Sequence, residues 1–171
     1  MKTSMPATLI ATLTTTLAST IVVGGAFAGD KKKLTEKEVP KPVVTAVAAK
    51  YPDAKNIAYG QENEHGKSIY EVEFKQATTD VSLDVSPEGK ILVEETVVAA
   101  SALPAAVKQG IDGSKYKSWK VDKAEKVIEG DKADAPVYEV VVKSKGKKVE
   151  VVFDKDGKIT KEQAKTAKDT D

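Results

Sequence analysis

The chain has no cysteine and no arginine, one histidine, one tryptophan and few other aromatic residues. Each shortage closes off a class of chemistry. Without cysteine there is no disulfide, no thiol nucleophile, no thiolate metal site and no lipid-modified N-terminal cysteine. Without arginine the chain lacks the rigid bidentate fork that grips phosphates, carboxylates and guanine edges, and lysine supplies all the basic charge. Together with a formal net charge of +1, this excludes nucleic acid as a partner. The lone histidine, His65, lies in the polar run Asn63-Glu64-His65-Gly66-Lys67 and reads as a solvated hairpin tip. No serine stands in a Gly-x-Ser-x-Gly setting, so no nucleophile and base are legible together.

What the chain does have begins with an export signal. Lys2 gives a positive start, Ala7 to Val23 is uncharged and mostly apolar, and Ala26-Phe27-Ala28 forms an A-x-A cleavage site. Thr14-Thr15-Thr16, Ser19, Thr20 and the Gly24-Gly25 pair argue against a spanning helix. Residues 1–28 are therefore expected to be removed after Ala28. That leaves a periplasmic or secreted product with no membrane span and with acid and base in balance. Its stability must come from apolar burial and backbone hydrogen bonds.

The remaining sequence repeats itself. Tyr70-Glu71-Val72 returns as Tyr138-Glu139-Val140, and Gly89-Lys90-Ile91 returns as Gly157-Lys158-Ile159, both at the same offset. Val39-Pro40 returns as Leu103-Pro104 at a slightly shorter one. So long a period means two copies of a small unit, not a solenoid of short repeats. The expected organisation is a flexible lead over 29–35, repeat 1 over 36–99, repeat 2 over 100–163 and a charged tail over 164–171.

In each repeat a short helix comes first. Thr35 and Glu38 fit a capping box, Pro40 and Pro42 fit a first turn, and Val43, Val44, Val47, Ala48 and Tyr51 form an apolar stripe before Pro52. In the second repeat Ser101 is expected as the cap, with Leu103, Val107 and Ile111 as the stripe and a stop near Gly113. Strands follow. Tyr70, Val72 and Phe74 alternate with Glu71, Glu73 and Lys75, and Val81, Leu83 and Val85 alternate with Ser82, Asp84 and Ser86. Ala54 to Glu62, Ile91 to Val98 and Trp119 to Glu129 read as further strands. The predicted fold class is α+β: two tandem helix-plus-antiparallel-sheet repeats, with helices packed on one face of the sheet or sheets and a polar face left open.

Val39-Pro40, Lys50-Tyr51-Pro52, Tyr70-Glu71-Val72 and Pro87-Glu88-Gly89-Lys90-Ile91, with their second-copy counterparts, resemble the PepSY-like family of exported bacterial proteins, often labelled β-lactamase-inhibitor-like. The resemblance spans about residues 36–163. It implies two sheets joined into one curved surface, and it implies no known activity and no inhibitory contact residue.

The remaining motifs have plain readings. Phe153 to Thr160 looks like part of a calcium loop, but with Gly157 at loop position six the ends fall on Val152 and Gln163, which cannot ligate as the loop demands. A β-turn is expected there. Glu71 and Glu73 could form a glycosidase-like acid pair, yet alternating charge is also how an exposed sheet face stays soluble. Tyr59, Tyr116 and Trp119 are the aromatic anchors a partner would use, or else part of the core. The expected function is a non-enzymatic, cofactor-free exported module that binds an envelope or secreted protein or peptide, and modulates or inhibits an envelope enzyme. The candidate contact residues are Glu71, Glu73, Asp84, Tyr59, Trp119, Glu139 and Val141. A small-ligand or cation-responsive sensor is the alternative, and a hydrolase ranks last.

Overall fold

The computed structural model describes residues 32–64 and 66–165. The expected signal segment, His65 and most of the charged tail lie outside the described residues.

The expected α+β class does not hold. The molecule is mostly β, a single nine-stranded antiparallel sheet whose spatial order is the sequence order. Its strands are β1 (Lys32–Leu34), β2 (Lys55–Glu64), β3 (Lys67–Gln76), β4 (Thr79–Val85), β5 (Ile91–Val97), β6 (Lys120–Glu129), β7 (Val137–Ser144), β8 (Lys147–Phe153) and β9 (Ile159–Lys165). Among the described residues only two short α-helices accompany them, α1 (Lys41–Lys50) and α2 (Ala105–Asp112). The two repeats do not close as separate sheets, because the last strand of the first hydrogen-bonds to the first strand of the second. Glu94 stands opposite Ile128 and Glu95 opposite Val127. An unpaired edge there would leave a row of backbone donors and acceptors open, and the β5–β6 ladder satisfies them.

Three local expectations also change. Lys32–Leu34 falls in the segment read as a flexible lead, yet it forms the edge strand β1 against Tyr59, Gly60 and Gln61, with Leu34 packed on the first core. Ser101 does not cap α2. It sits in a one-turn 3-10 helix (Ala100–Ala102), and the helix is entered through Pro104. The Thr35–Glu38 bond forms, with the Thr35 N–H donating to Glu38 Oε2 at 2.8 Å, but it closes a 3-10 turn ahead of α1, which starts after Pro40.

Both helices lie on the same face. The register carries that face across the junction, from Leu83 to Glu94 to Ile128, and on β6 Lys126 shares it and stands opposite Tyr138. On it sit two cores. Val39, Val43 and Val47 meet Tyr59, Tyr70, Val72, Phe74, Val81, Leu83 and Val85. Leu103, Val107, Ile111 and Tyr116 meet Ala124, Val140, Val142, Val151 and Phe153. A two- or three-turn helix is marginal alone, so these helices persist by burying their valine and isoleucine stripes on the sheet.

The Gly-Lys-Ile turns press on the helix starts. A Cβ on Gly89 would lie 2.5 Å from the Pro42 carbonyl oxygen, and one on Gly157 would lie 2.1 Å from that of Ala106. Both glycines have positive φ, +85° and +81°. Close approach and backbone conformation together admit only glycine. This is the structural reason for the duplicated motif.

Candidate functional site: the open face of the sheet

Among the described residues no helix covers the other sheet face. Strand alternation places Glu71 and Glu73 of β3, Ser82 and Asp84 of β4, and Val93, Glu95 and Val97 of β5 on it. Across the junction the same face carries Lys123, Glu125 and Val127 of β6, Val137, Glu139 and Val141 of β7, Glu150 and Val152 of β8, and Lys161, Gln163 and Lys165 of β9. One cross-strand row reads Val97, Glu125, Glu139, Val152, Lys161.

Burial on this face is concentrated in the second repeat. Glu139 and Glu150 are each 2% exposed, Glu125 is 7% exposed, and Val127 and Val152 are each 1% exposed. Lys123 Nζ reaches Glu125 Oε1 at 2.8 Å, and Lys165 Nζ reaches Glu150 Oε2 at 2.7 Å. Among the described residues no lysine stands at contact distance from Glu139, and its Oε1 is buried without a hydrogen bond. Burial among Val127, Val141 and Val152 penalises its charged form. The fields of Glu150, Glu95 and Glu125 add to this against the weaker pull of Lys161, and the carboxyl is pushed up to about 9. At neutral pH Glu139 is protonated.

At the rim a bulge in β6 between Val121 and Lys123 frees Asp122, which Lys143 and Lys148 clasp. Their hydrogen bonds hold the Asp122 carboxyl down at about 2. Lys143 and Lys148, from β7 and β8, thus brace the bulge.

Of the residues singled out from sequence, Glu71, Glu73, Asp84, Glu139 and Val141 share the open face. Tyr59 and Trp119 lie on the helix side. Tyr59 is buried in the first core, and Trp119 packs edge-on against Tyr116 with ring centroids 5.2 Å apart. Glu95, Glu125 and Lys161 were not singled out, nor was Glu150 as a binding candidate. The β6 bulge shifts the alternation of that strand by one residue, so Glu125 cannot be assigned a face by counting from Val121.

The Asp154–Gly157 turn is a braced hairpin. The backbone N–H groups of Asp156 and Lys158 donate to Asp154 Oδ1 at 3.0 and 2.9 Å, which commits that carboxylate oxygen to the turn. Among the described residues no group of three or more His, Asp or Glu is arranged to hold a metal ion. Among them, too, no helix is long and apolar enough to cross a membrane.

The architecture defines a class: a tandem-repeat β protein with short helices on one face of a continuous sheet and, among the described residues, no element on the other. The chain belongs to the family described as "Putative beta-lactamase-inhibitor-like, PepSY-like", whose model matches it twice, over residues 28–93 and 91–161. Its fold is shared with a "BLIP-like protein" of Bacteroides fragilis, at 23% identity and a TM-score of 0.65, covering 78% of this chain and 91% of that one. A "putative periplasmic" protein of Bacteroides eggerthii is similar at 20% identity and a TM-score of 0.66, covering 74% and 88%. A DUF2874 family protein of Bacteroides uniformis gives 20%, 0.65, 74% and 89%. None of the curated proteins compared with the chain matches it.

Proposed function

We propose that this chain is an exported, non-catalytic module that holds a protein or peptide segment on its open sheet face. The observation that carries the reading is the asymmetry of the sheet. One face is closed by two helices over two apolar cores, while the other presents ordered rows of charge and valine with no covering element among the described residues. A surface of mixed valine and carboxylate is suited to recognition, because the apolar part supplies burial and the charges fix the partner's register. Membership of a β-lactamase-inhibitor-like family and the likeness to a protein called periplasmic support the same reading, as does the N-terminal signal pattern. The partner is then an envelope or secreted protein.

The test is capture of partners from an envelope extract by the exported protein and by a Glu73→Lys, Val141→Lys variant. Glu73 is exposed and Val141 half-buried, so the change should spare the cores. Loss of a partner from the variant with thermal melting unchanged is expected. Equal capture by both proteins would overturn the placement of the site.

A further inference from the structure

Four carboxylates converge on the open face from four consecutive strands: Glu95 on β5, Glu125 on β6, Glu139 on β7 and Glu150 on β8. Lys123 engages Glu125 and Lys165 engages Glu150. Glu139 lies between them, 2% exposed, with Oε1 accepting no hydrogen bond. A buried oxygen without a donor carries a cost that a partner could relieve. Its surroundings say what kind of partner. Val152 is directly opposite on β8, Val141 lies two residues along β7, and Val127 lies two residues along β6 from the opposing Glu125. A small hydrated cation would gain nothing from such a ring, whereas a long side chain with an apolar stem and a charged head would gain at both ends.

We propose that the centre of the open face is a seat for a lysine or arginine side chain of the bound segment. Its charged head meets Glu139, and its methylene stem lies along Val141 and Val152. The inference rests on the reading of this face as the docking surface and names the chemistry of its occupant. The rest of the face fits in sign: Glu71, Glu73, Asp84 and Glu95 extend the acidic field across β3 to β5, and the lysines facing Glu139 are Lys123, Lys161 and Lys165 at the other end.

The seat has a proton-linked signature. The free protein keeps Glu139 protonated through neutral pH. A cationic head favours the carboxylate, so docking releases the proton and binding strengthens as pH rises. The gain approaches about tenfold per pH unit below about pH 9. Contacts to ordinary exposed carboxylates, ionised throughout that range, would show no such slope.

The probe is octalysine, measured by calorimetry at low ionic strength against the exported protein, with octaglutamate as control. Expected are binding of octalysine alone, an affinity rising at least about tenfold between about pH 6 and pH 8, and loss of that slope in Glu139→Gln. His65→Gln should retain the slope. No binding by the wild-type protein, a flat pH profile, or a slope that survives Glu139→Gln would each overturn the inference. Should Glu139→Gln fail to fold, the Glu139 carboxyl carbon resonance of the wild type decides. A shift to the ionised position on adding octalysine is expected, and an unmoved resonance overturns the seat. A native partner lost from the Glu73→Lys, Val141→Lys variant but neither displaced by octalysine nor weakened by Glu139→Gln would remove the seat and leave the docking face standing. A partner indifferent to all three would remove both.

Discussion

The two repeats agree where helices cover them and part company where they do not. On the helix side Tyr70, Val72, Val81 and Leu83 correspond to Tyr138, Val140, Val149 and Val151, and Val43 and Val47 correspond to Val107 and Ile111. Each core receives one phenylalanine, but from a different strand. Phe74 on β3 is matched by Val142, and Phe153 on β8 by Val85. The exchange keeps volume while moving bulk, which a close-packed interior tolerates only with local adjustment. That adjustment is visible at Gly110, the counterpart of Ala46, where a Cβ would stand 3.2 Å from Phe153 Cδ1 and 2.1 Å from the Gly157 carbonyl oxygen. Even the helix exits match. Lys50 reaches Glu94 and lies over the Tyr51 ring, and Lys115 reaches Glu162 and lies over the Tyr116 ring. On the open face Glu71 and Glu139 correspond in kind, as do Ile69 and Val137, and Lys75 and Lys143, but the middle of the face diverges. Glu73 becomes Val141, Ser82 becomes Glu150 and Asp84 becomes Val152. Packing has held one face in common and left the other free to specialise.

The largest effect is expected where the second repeat is tightest. Gly157→Ala combines a positive φ with a backbone clash and should cost about 3 kcal/mol or more, read from the urea midpoint. Gly89→Ala should cost less, its contact being 2.5 Å rather than 2.1 Å. Equal losses would mean the two turns are seated alike. Next comes the divergence around Glu139. Its ordinary value is 4.5 and its folded value about 9, so folding takes up a proton between those limits and stability must fall as pH rises through them. The slope can reach about 1.4 kcal/mol per pH unit. Glu139→Gln should flatten the melting temperature between about pH 6 and pH 9 relative to wild type, and a wild-type profile already flat would sink the assignment. The smallest effect concerns the paired bridges. Double-mutant cycles should show stronger coupling for Lys50–Glu94 than for Lys115–Glu162, because the Glu94 side chain is 13% exposed and that of Glu162 34%. Both couplings should shrink with added salt.

Strand alternation was enough to read β3 and β4 with their faces, since Tyr70 to Lys75 and Val81 to Ser86 alternate without interruption. In β7 and β8 Val141 and Val152 break the alternation, and those strands follow instead from the repeat of Tyr70-Glu71-Val72 as Tyr138-Glu139-Val140. The helices were legible too, from proline at their starts and valine at helical spacing. The fold class was not. Whether β5 closes its own repeat or joins β6 depends on backbone pairing between segments that are each plausible edges, and composition does not distinguish the two. The last strand runs past the boundary expected at residue 164 for a related reason. Ile159–Lys165 is rich in lysine and glutamate, yet it pairs along β8 from Phe153 to Lys148, so neighbouring backbone overrides weak intrinsic preference. The site was half legible. Glu71, Glu73, Asp84, Glu139 and Val141 fell on one face as counted, but Glu125 needed the β6 bulge. The isolation of Glu139 needed the positions of Lys123 and Lys165, which only the assembled sheet supplies.

Every strand in this sheet pairs only with its neighbours in the chain. Growth of the sheet therefore never has to wait for a distant segment, and each new hairpin adds to a ladder already in place. Assembly of this kind has low contact order and is fast for a β protein. Such a chain can zip up from its first residues as they emerge, without an oxidant to lock the product and without a late, long-range closure at which it could go astray.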